Sequence, residues 1–321
     1  MSHAFYGTIV HSLSKDDPYL ILANTVIIVK DGVITAVESG TSTERAQLLA
    51  ADADLSLRTL SKYSFLMPGL VDTHIHASQY SNAGNGYSHQ LLDWLEKYTF
   101  PTEAKFKDEK FAKLVYDKVV RRTLLNGTTT ACYYATIDVK ASIILADTMK
   151  RRGQRGFVGK VSMDKSSPDY YIETTEQALS DCRAFLDEMK AIHGTDGLIQ
   201  ACVTPRFALS CTNELMVGLA KLAEEYNAPI QTHMSENLGE VSAVKEECDV
   251  DEYIHVYEQC GLLTDQTILA HCVHSSSEEL AVIKRYNSGV AHCPNSNMSL
   301  RSGMMDIRRA NSAGVKLGLG E

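Results

Sequence analysis

The sequence has no apolar run long enough to cross a bilayer and no charged-then-apolar leader at its N-terminus, so neither a membrane span nor secretion is expected. It has no excess of positive charge. The net charge is −9, the isoelectric point lies near 5.7, and the pairs Arg121-Arg122, Arg151-Arg152 and Arg308-Arg309 are scattered along the chain. Nucleic acid and anionic membrane surfaces are therefore poor candidates for a main partner. None of the eight cysteines forms a Cys-x-x-Cys pair, which argues against a thiolate zinc site and for reduced thiols in a cytoplasmic protein. No Gly-x-Gly-x-x-Gly follows a strand candidate, so the fingerprint of a dinucleotide-binding doubly wound sheet is missing. The Pro-Cys-x-x-Cys and His-x-Glu combination of cytidine-deaminase-type enzymes is missing too.

What remains is an ordinary globular composition, 44% hydrophobic and 22% charged over 321 residues, enough for one large domain plus a small one. Residues 5–12 and 25–38 read as strands. Asp31-Gly32 sits between Val26–Lys30 and Val33–Glu38 as a two-residue hairpin turn. Residues 41–60 give no clear assignment. From Phe65 onward the pattern becomes apolar strand, then helix, repeated. Strand candidates follow at Thr128–Ala135, Gly156–Met163, Leu198–Thr204, Pro229–His233, Thr267–Cys272, Val290–Cys293 and Val315–Leu319. Helices fit between them. One carries Phe111, Leu114, Val115, Val119 and Val120 and stops at Asn126-Gly127; others open at Thr174-x-x-Gln177 and Ser276-x-x-Glu279. Eight strand–helix units of this size point to a TIM (β/α)8 barrel over 65–321, preceded by part of a small β-domain over 1–64. Residues 77–104 are too long for a plain connection and are expected to wall a pocket.

The chemistry collects where strands end, the face on which such barrels keep their active sites. The first strand closes on Thr73-His74-Ile75-His76. Alternate side chains of a strand share a face, so His74 and His76 point together. The fifth strand ends Gln231-Thr-His233-Met-Ser-Glu236, the sixth at His271 and the seventh at His292-Cys-Pro-Asn-Ser-Asn297. One strand-end histidine is ordinarily a satisfied structural residue. Four such ends in one barrel fit core packing badly, because each buried imidazole needs its own partner. A metal site of histidines is the expectation, and nitrogen ligands favour Zn²⁺ over Mg²⁺ or Ca²⁺.

These residues carry a resemblance. Met67-Pro-Gly-Leu-Val-Asp-Thr-His-Ile-His76, His233-Met-Ser-Glu236, His271 and His292-Cys-Pro-Asn-Ser-Asn297 together resemble the amidohydrolase superfamily in its purine-aminohydrolase branch. Ser78-Gln-Tyr-Ser81, Lys97-Tyr-Thr-Phe-Pro101, Arg121–Cys132 and Val203-Thr-Pro-Arg-Phe207 extend the similarity over essentially the whole chain. The resemblance implies hydrolytic deamination of the purine base guanine to xanthine and ammonia, with one Zn²⁺ per subunit and a homodimeric assembly. It implies His74, His76 and His233 as metal ligands, Glu236 as proton shuttle and His271 as the group that orients or deprotonates water. Gln79, Arg206 and Phe207 fall at purine-contacting positions. Trp94 is expected in the core, and His292 as a brace for its strand end.

At Lys316-Leu-Gly-Leu-Gly-Glu321 the chain departs from the family pattern, which runs Leu-Gly-x-Gly-Thr-Asp and supplies a carboxylate ligand there. Glu321 stands one residue early and would face the other way. On that pattern the chain is expected to be a truncated product with an incomplete last barrel unit, low solubility and little deaminase activity. Two further readings accompany this one: an aminohydrolase for adenosine-like or triazine substrates, and a catalytically dead binding or scaffolding form.

Overall fold

The computed structural model describes residues 2–14, 17–194 and 197–320. Its chain divides into two compact units, Met1–Gly69 and Leu70–Glu321.

In the first unit, β1 (His3–His11), β2 (Leu20–Lys30), β3 (Val33–Glu38) and β4 (Leu57–Thr59) form one sheet in the order β3-β2-β1-β4. A fifth short strand, β5 (Phe65–Leu66), pairs with β1. The hairpin joining β2 to β3 turns at Asp31 (φ 49°) and Gly32 (φ 83°), and Lys30 pairs with Val33. Two consecutive positive φ angles make the turn that matches strand twist, and Asp-Gly tolerates them. Ala4, Tyr6, Val26 and Ile28, spaced by two on adjacent strands, face Ala46 and Ala50 of a helix at Thr43–Asp52. That helix lies in the stretch the sequence left unassigned. Ser42 caps it by accepting from the Arg45 backbone N–H at 3.2 Å. Burying side chains the size of Val26 and Ile28 contributes roughly 1.5–3 kcal/mol each.

Among the described residues the second unit contains eight parallel strands in a nearly closed barrel. They are β6 (Leu70–His76), β7 (Thr128–Tyr134), β8 (Arg155–Ser162), β9 (Ile199–Pro205), β10 (Ile230–Met234), β11 (Thr267–His271), β12 (Gly289–His292) and β13 (Lys316–Leu319). Each strand pairs with the next, and Thr73 Oγ1 on β6 donates to the Leu319 carbonyl on β13 at 2.8 Å. The TIM-barrel expectation holds, and the seven later strands lie within a residue or two of the apolar runs. The first begins only at Leu70, because Phe65–Leu66 pairs with β1 in the sheet of the first unit. Glu321 lies outside the described residues.

The helices pack as their caps and periodicities predict. Glu109–Leu125 buries Val115, Val119 and Val120 and stops before Gly127, whose φ is 91°, but Leu114, expected on the same face, points to solvent and Phe111 is only partly buried. Ser276 and Glu279 form a reciprocal capping box at the start of Ser277–Arg285. Asn213–Tyr226 buries Leu215, Leu219 and Leu222 against the barrel. One glycine is dictated by contact: a Cβ on Gly156 of β8 would stand 1.9 Å from the Ala131 carbonyl oxygen on β7. Residues 77–107 wind through short helical turns over the barrel mouth, where Trp94 is buried and its indole N–H donates to the Asn85 carbonyl at 2.8 Å. No helix among the described residues is long and apolar enough to cross a membrane.

Candidate metal and active site

Two strands aim three imidazoles at one point. His74 and His76 leave β6 on the same side, with ring centroids 5.1 Å apart, and His233 on β10 lies 4.6 Å from the first and 5.0 Å from the second. One ligand nitrogen from each ring falls within a 4.8 Å group. For His233 and His74 the back of the ring decides which nitrogen is available, while His76 Nδ1 has no partner. His233 Nδ1 donates to the Arg206 carbonyl at 2.6 Å, and His74 Nδ1 donates to Gln231 Oε1 at 2.6 Å. Both Nε2 atoms are therefore lone pairs. His74 Nε2 has no hydrogen-bond partner, although it is fully buried. His76 Nε2 faces His233 Nε2 at 2.8 Å, a separation that one shared proton or one shared cation explains.

Burial holds all three rings neutral. His74 is pushed down to about 3, chiefly by loss of solvent and then by the nearby His271. His76 and His233 are pushed well below the usual imidazole range by the same desolvation and by each other's neighbourhood. Neutral imidazoles with free lone pairs converging on one point are the donor set that Zn²⁺ takes. A second trio, His74, His271 and Cys293, is equally close. It is the poorer set, because burial pushes the Cys293 thiol well up and its S–H donates to the Ala291 carbonyl at 3.4 Å.

Beside the histidines sits a carboxyl–imidazole pair. Glu236 Oε2 lies 3.4 Å from His271 Nε2, and both side chains are buried. Burial raises the Glu236 carboxyl to about 8 and lowers the His271 imidazolium, so the pair shares one proton, held on the carboxyl near neutral pH. Backbone geometry aims both groups. Ser235 (φ 49°) turns the chain between His233 and Glu236, and His271 (φ 74°) and Cys272 (φ 47°) are two consecutive left-handed residues at the end of β11. The turn is held by Cys272 N–H to the Met234 carbonyl at 2.9 Å and His274 N–H to the Ser235 carbonyl at 3.1 Å. Asn297 Oδ1 accepts from His271 Nδ1 at 2.8 Å, and Glu240 Oε2 accepts from the backbone N–H of Glu236 at 2.8 Å.

A cavity of about 320 Å³ opens above these groups, and Gln79, Arg206 and Phe207 line it along with His76, His233 and Glu236. That is the size of a small-ligand site. Arg206 is buried, its guanidinium 4.9 Å from the Phe100 ring centroid. His292 ends β12 with Nδ1 unpartnered. The structure thus brings all eight sequence-derived site residues to one barrel mouth. The sequence reading missed four supporting residues: Gln231, Asn297, Glu103 and Tyr134. Gln231 was available from strand alternation, two positions before His233, and Asn297 ends a motif already noted. Tyr134 closes β7 with its hydroxyl donating to the Gln231 carbonyl at 2.7 Å and its ring 4.7 Å from that of His76. Nothing local marks Glu103.

Comparison with known proteins agrees with this geometry. Residues 65–321 match the model of the amidohydrolase family. The guanine deaminase of Dictyostelium discoideum is 46% identical over 328 residues, spanning 98% of this chain and 72% of that protein. The guanine deaminase of Homo sapiens is 44% identical over 324 residues, spanning 100% of this chain and 70% of its own. Among solved structures, guanine deaminase from C. acetobutylicum with guanine bound in its active site superposes with a TM-score of 0.91 at 36% identity, covering 100% of this chain and 74% of that one. A triazine hydrolase from Arthobacter aurescens, at 19% identity and TM-score 0.83, shares the fold alone. Barrel, histidine cluster and family match converge, and the chain belongs to the amidohydrolase family.

Proposed function

We propose that this protein hydrolyses guanine to xanthine and ammonia, with His74, His76 and His233 holding a zinc ion. The observation that carries the reading is the convergence of three imidazoles, two of them braced from behind, beside the buried Glu236 carboxyl, under a cavity lined by a buried arginine. Relatives at 44% and 46% identity that bear the guanine deaminase name favour guanine over adenosine-like or triazine substrates. Zinc held there would supply the electrophilic activation that makes water a nucleophile at neutral pH.

The chain's own residues account for the rest. Glu236 Oε2 carries a proton near neutral pH and stands where it can hand it to a ring nitrogen, and later to the departing amine. His271 Nε2 accepts a proton from the attacking water's side of the pocket, its orientation fixed by Asn297. Arg206 cannot lose its proton. In a buried setting it stabilises negative charge growing on a carbonyl oxygen of the base. Phe207 supplies an apolar wall for the purine face, and the segment 77–107 screens the mouth from water.

The direct test is incubation of the zinc-loaded full chain with guanine, following loss of guanine absorbance and release of ammonia. Stoichiometric xanthine and ammonia are expected, against the low activity that the departure at Glu321 suggests, because the three imidazoles and Glu236 already meet at one cavity. No turnover of guanine, or faster turnover of adenosine or a triazine, defeats the proposal. A second test probes the brace behind His74. Replacing Gln231 by Ala frees Nδ1 and lets the ring rotate, and zinc affinity is expected to fall about 10–100-fold. Competition with a chelator of known affinity measures it, and an unchanged affinity would show that the Gln231 contact has no part in holding the ligand.

A further inference from the structure

Glu103 has no role in the chemistry above, yet it is a fully enclosed acid held against two side chains of the cavity wall, Gln79 and Arg206. It lies on the short helix Phe100–Glu103, 1% exposed, and meets Arg206 side-on: Arg206 Nη1 donates to Oε2 at 2.7 Å and Nη2 to Oε1 at 3.2 Å. The same Oε1 accepts from Gln79 Nε2 at 3.4 Å and from Ser78 Oγ at 3.5 Å. One carboxylate therefore holds two polar side chains that line the cavity, Gln79 and Arg206.

The consequence follows from donor and acceptor counting. An amide has one donating end and one accepting end, and a carboxylate oxygen beside it takes the donating end. With its Nε2 arm turned to Glu103, Gln79 keeps the other arm of the amide, Oε1, a pure acceptor, for the cavity. Arg206 has two N–H groups spent on Glu103 and keeps the remainder, all donors. The wall thus offers one donor next to one acceptor, in a fixed order. Its complement is a carbonyl flanked by a ring N–H, the lactam edge of an oxopurine. An aminopurine presents the reverse order, an amino donor flanked by a bare ring nitrogen, and would leave buried groups unpaired on both sides.

We infer that Glu103 is a positioning residue that sets this order, by fixing the amide of Gln79 and the fork of Arg206 so that the pocket selects a lactam edge over an amidine edge. The inference rests on the proposed purine substrate and deepens it. With glutamine at 103 the new amide can donate as well as accept, so Gln79 is free to turn either end to the base.

The test is equilibrium binding by calorimetry, on the zinc-loaded full chain, of hypoxanthine and adenine. These bases share a ring system, differ in the donor–acceptor order of one edge, and lack the 2-amino group that would be removed. The wild type is expected to bind hypoxanthine at least about tenfold more tightly, and Glu103→Gln to bring the two within about threefold. A wild type with no preference overturns the inference, as does a Glu103→Gln variant that weakens both bases equally, the result of a purely structural role. If Glu103→Gln gives no cooperative melting transition, Gln79→Leu decides by the same ratio: a collapse upholds the inference, a preserved preference overturns it. A wild type that prefers hypoxanthine yet releases no ammonia from guanine would defeat the proposed reaction and leave this inference standing.

Discussion

Glu236→Gln is expected to lower the rate of guanine deamination by about 10²–10⁴-fold while leaving zinc content and guanine binding near wild type. The substitution keeps the size of the side chain and its place against His271 Nε2, 3.4 Å away. What it removes is the exchangeable proton. The wild-type carboxyl, raised by burial to about 8, holds a proton near neutral pH and can also give it up. An amide does neither. Steady-state kinetics with parallel metal analysis reads the result. A loss confined to kcat identifies a proton-transfer role, a loss of metal would make Glu236 a ligand, and activity within tenfold of wild type would remove it from the mechanism.

The second large effect concerns acid. In the metal-stripped protein, stability should fall steeply as pH drops below about 6.5, the ordinary imidazole value. The sign follows from the direction of the shifts. Burial depresses the folded-state values of His74, to about 3, and of His76 and His233, well below the usual range. A group depressed in the fold leaves stability intact above its unfolded value. Below that value the unfolded chain takes up the proton and the folded one does not. Each such histidine then costs about 1.4 kcal/mol per pH unit, or roughly 4 kcal/mol per unit for the three together. Denaturant unfolding of the stripped protein at pH 7, 6 and 5 measures this. Restoring zinc at 1,000 times its dissociation constant should add about 4 kcal/mol at pH 7. A flat profile from pH 7 to 5 would mean that the rings are not held neutral together.

Much of this was legible because the signals were local. His74 and His76 lie two apart on one strand, so their common direction needed only the alternation of a β-strand. Asp31-Gly32 named its own turn, and Ser276-x-x-Glu279 its own helix start. The middle barrel strands announced themselves as apolar runs because both of their faces are covered, whereas β6 and β13 leave Leu70, Val71 and Leu319 exposed. The helix at Thr43–Asp52 escaped because its buried stripe is only Ala46 and Ala50, too small to raise a clear period in a polar stretch. Glu103 escaped for a different reason. Its partner Arg206 is 103 positions further on, and the pair exists only once the excursion folds back over the barrel mouth. A lone acid in a helical turn carries no mark of that meeting. Gln231 sits between these cases: its face was predictable, but its contact with His74 Nδ1, 157 positions away, needed the closed barrel.

The paired left-handed residues at His271 and Cys272 set a limit on how this chain can vary. A β-branched side chain at either position would collide with its own backbone, and glycine at 272 would relieve the conformation while widening the range of directions in which the imidazole swings. Sequence drift is thus confined from both sides: stiffer residues cannot enter the bend, and looser ones would blur the aim that the bend exists to give.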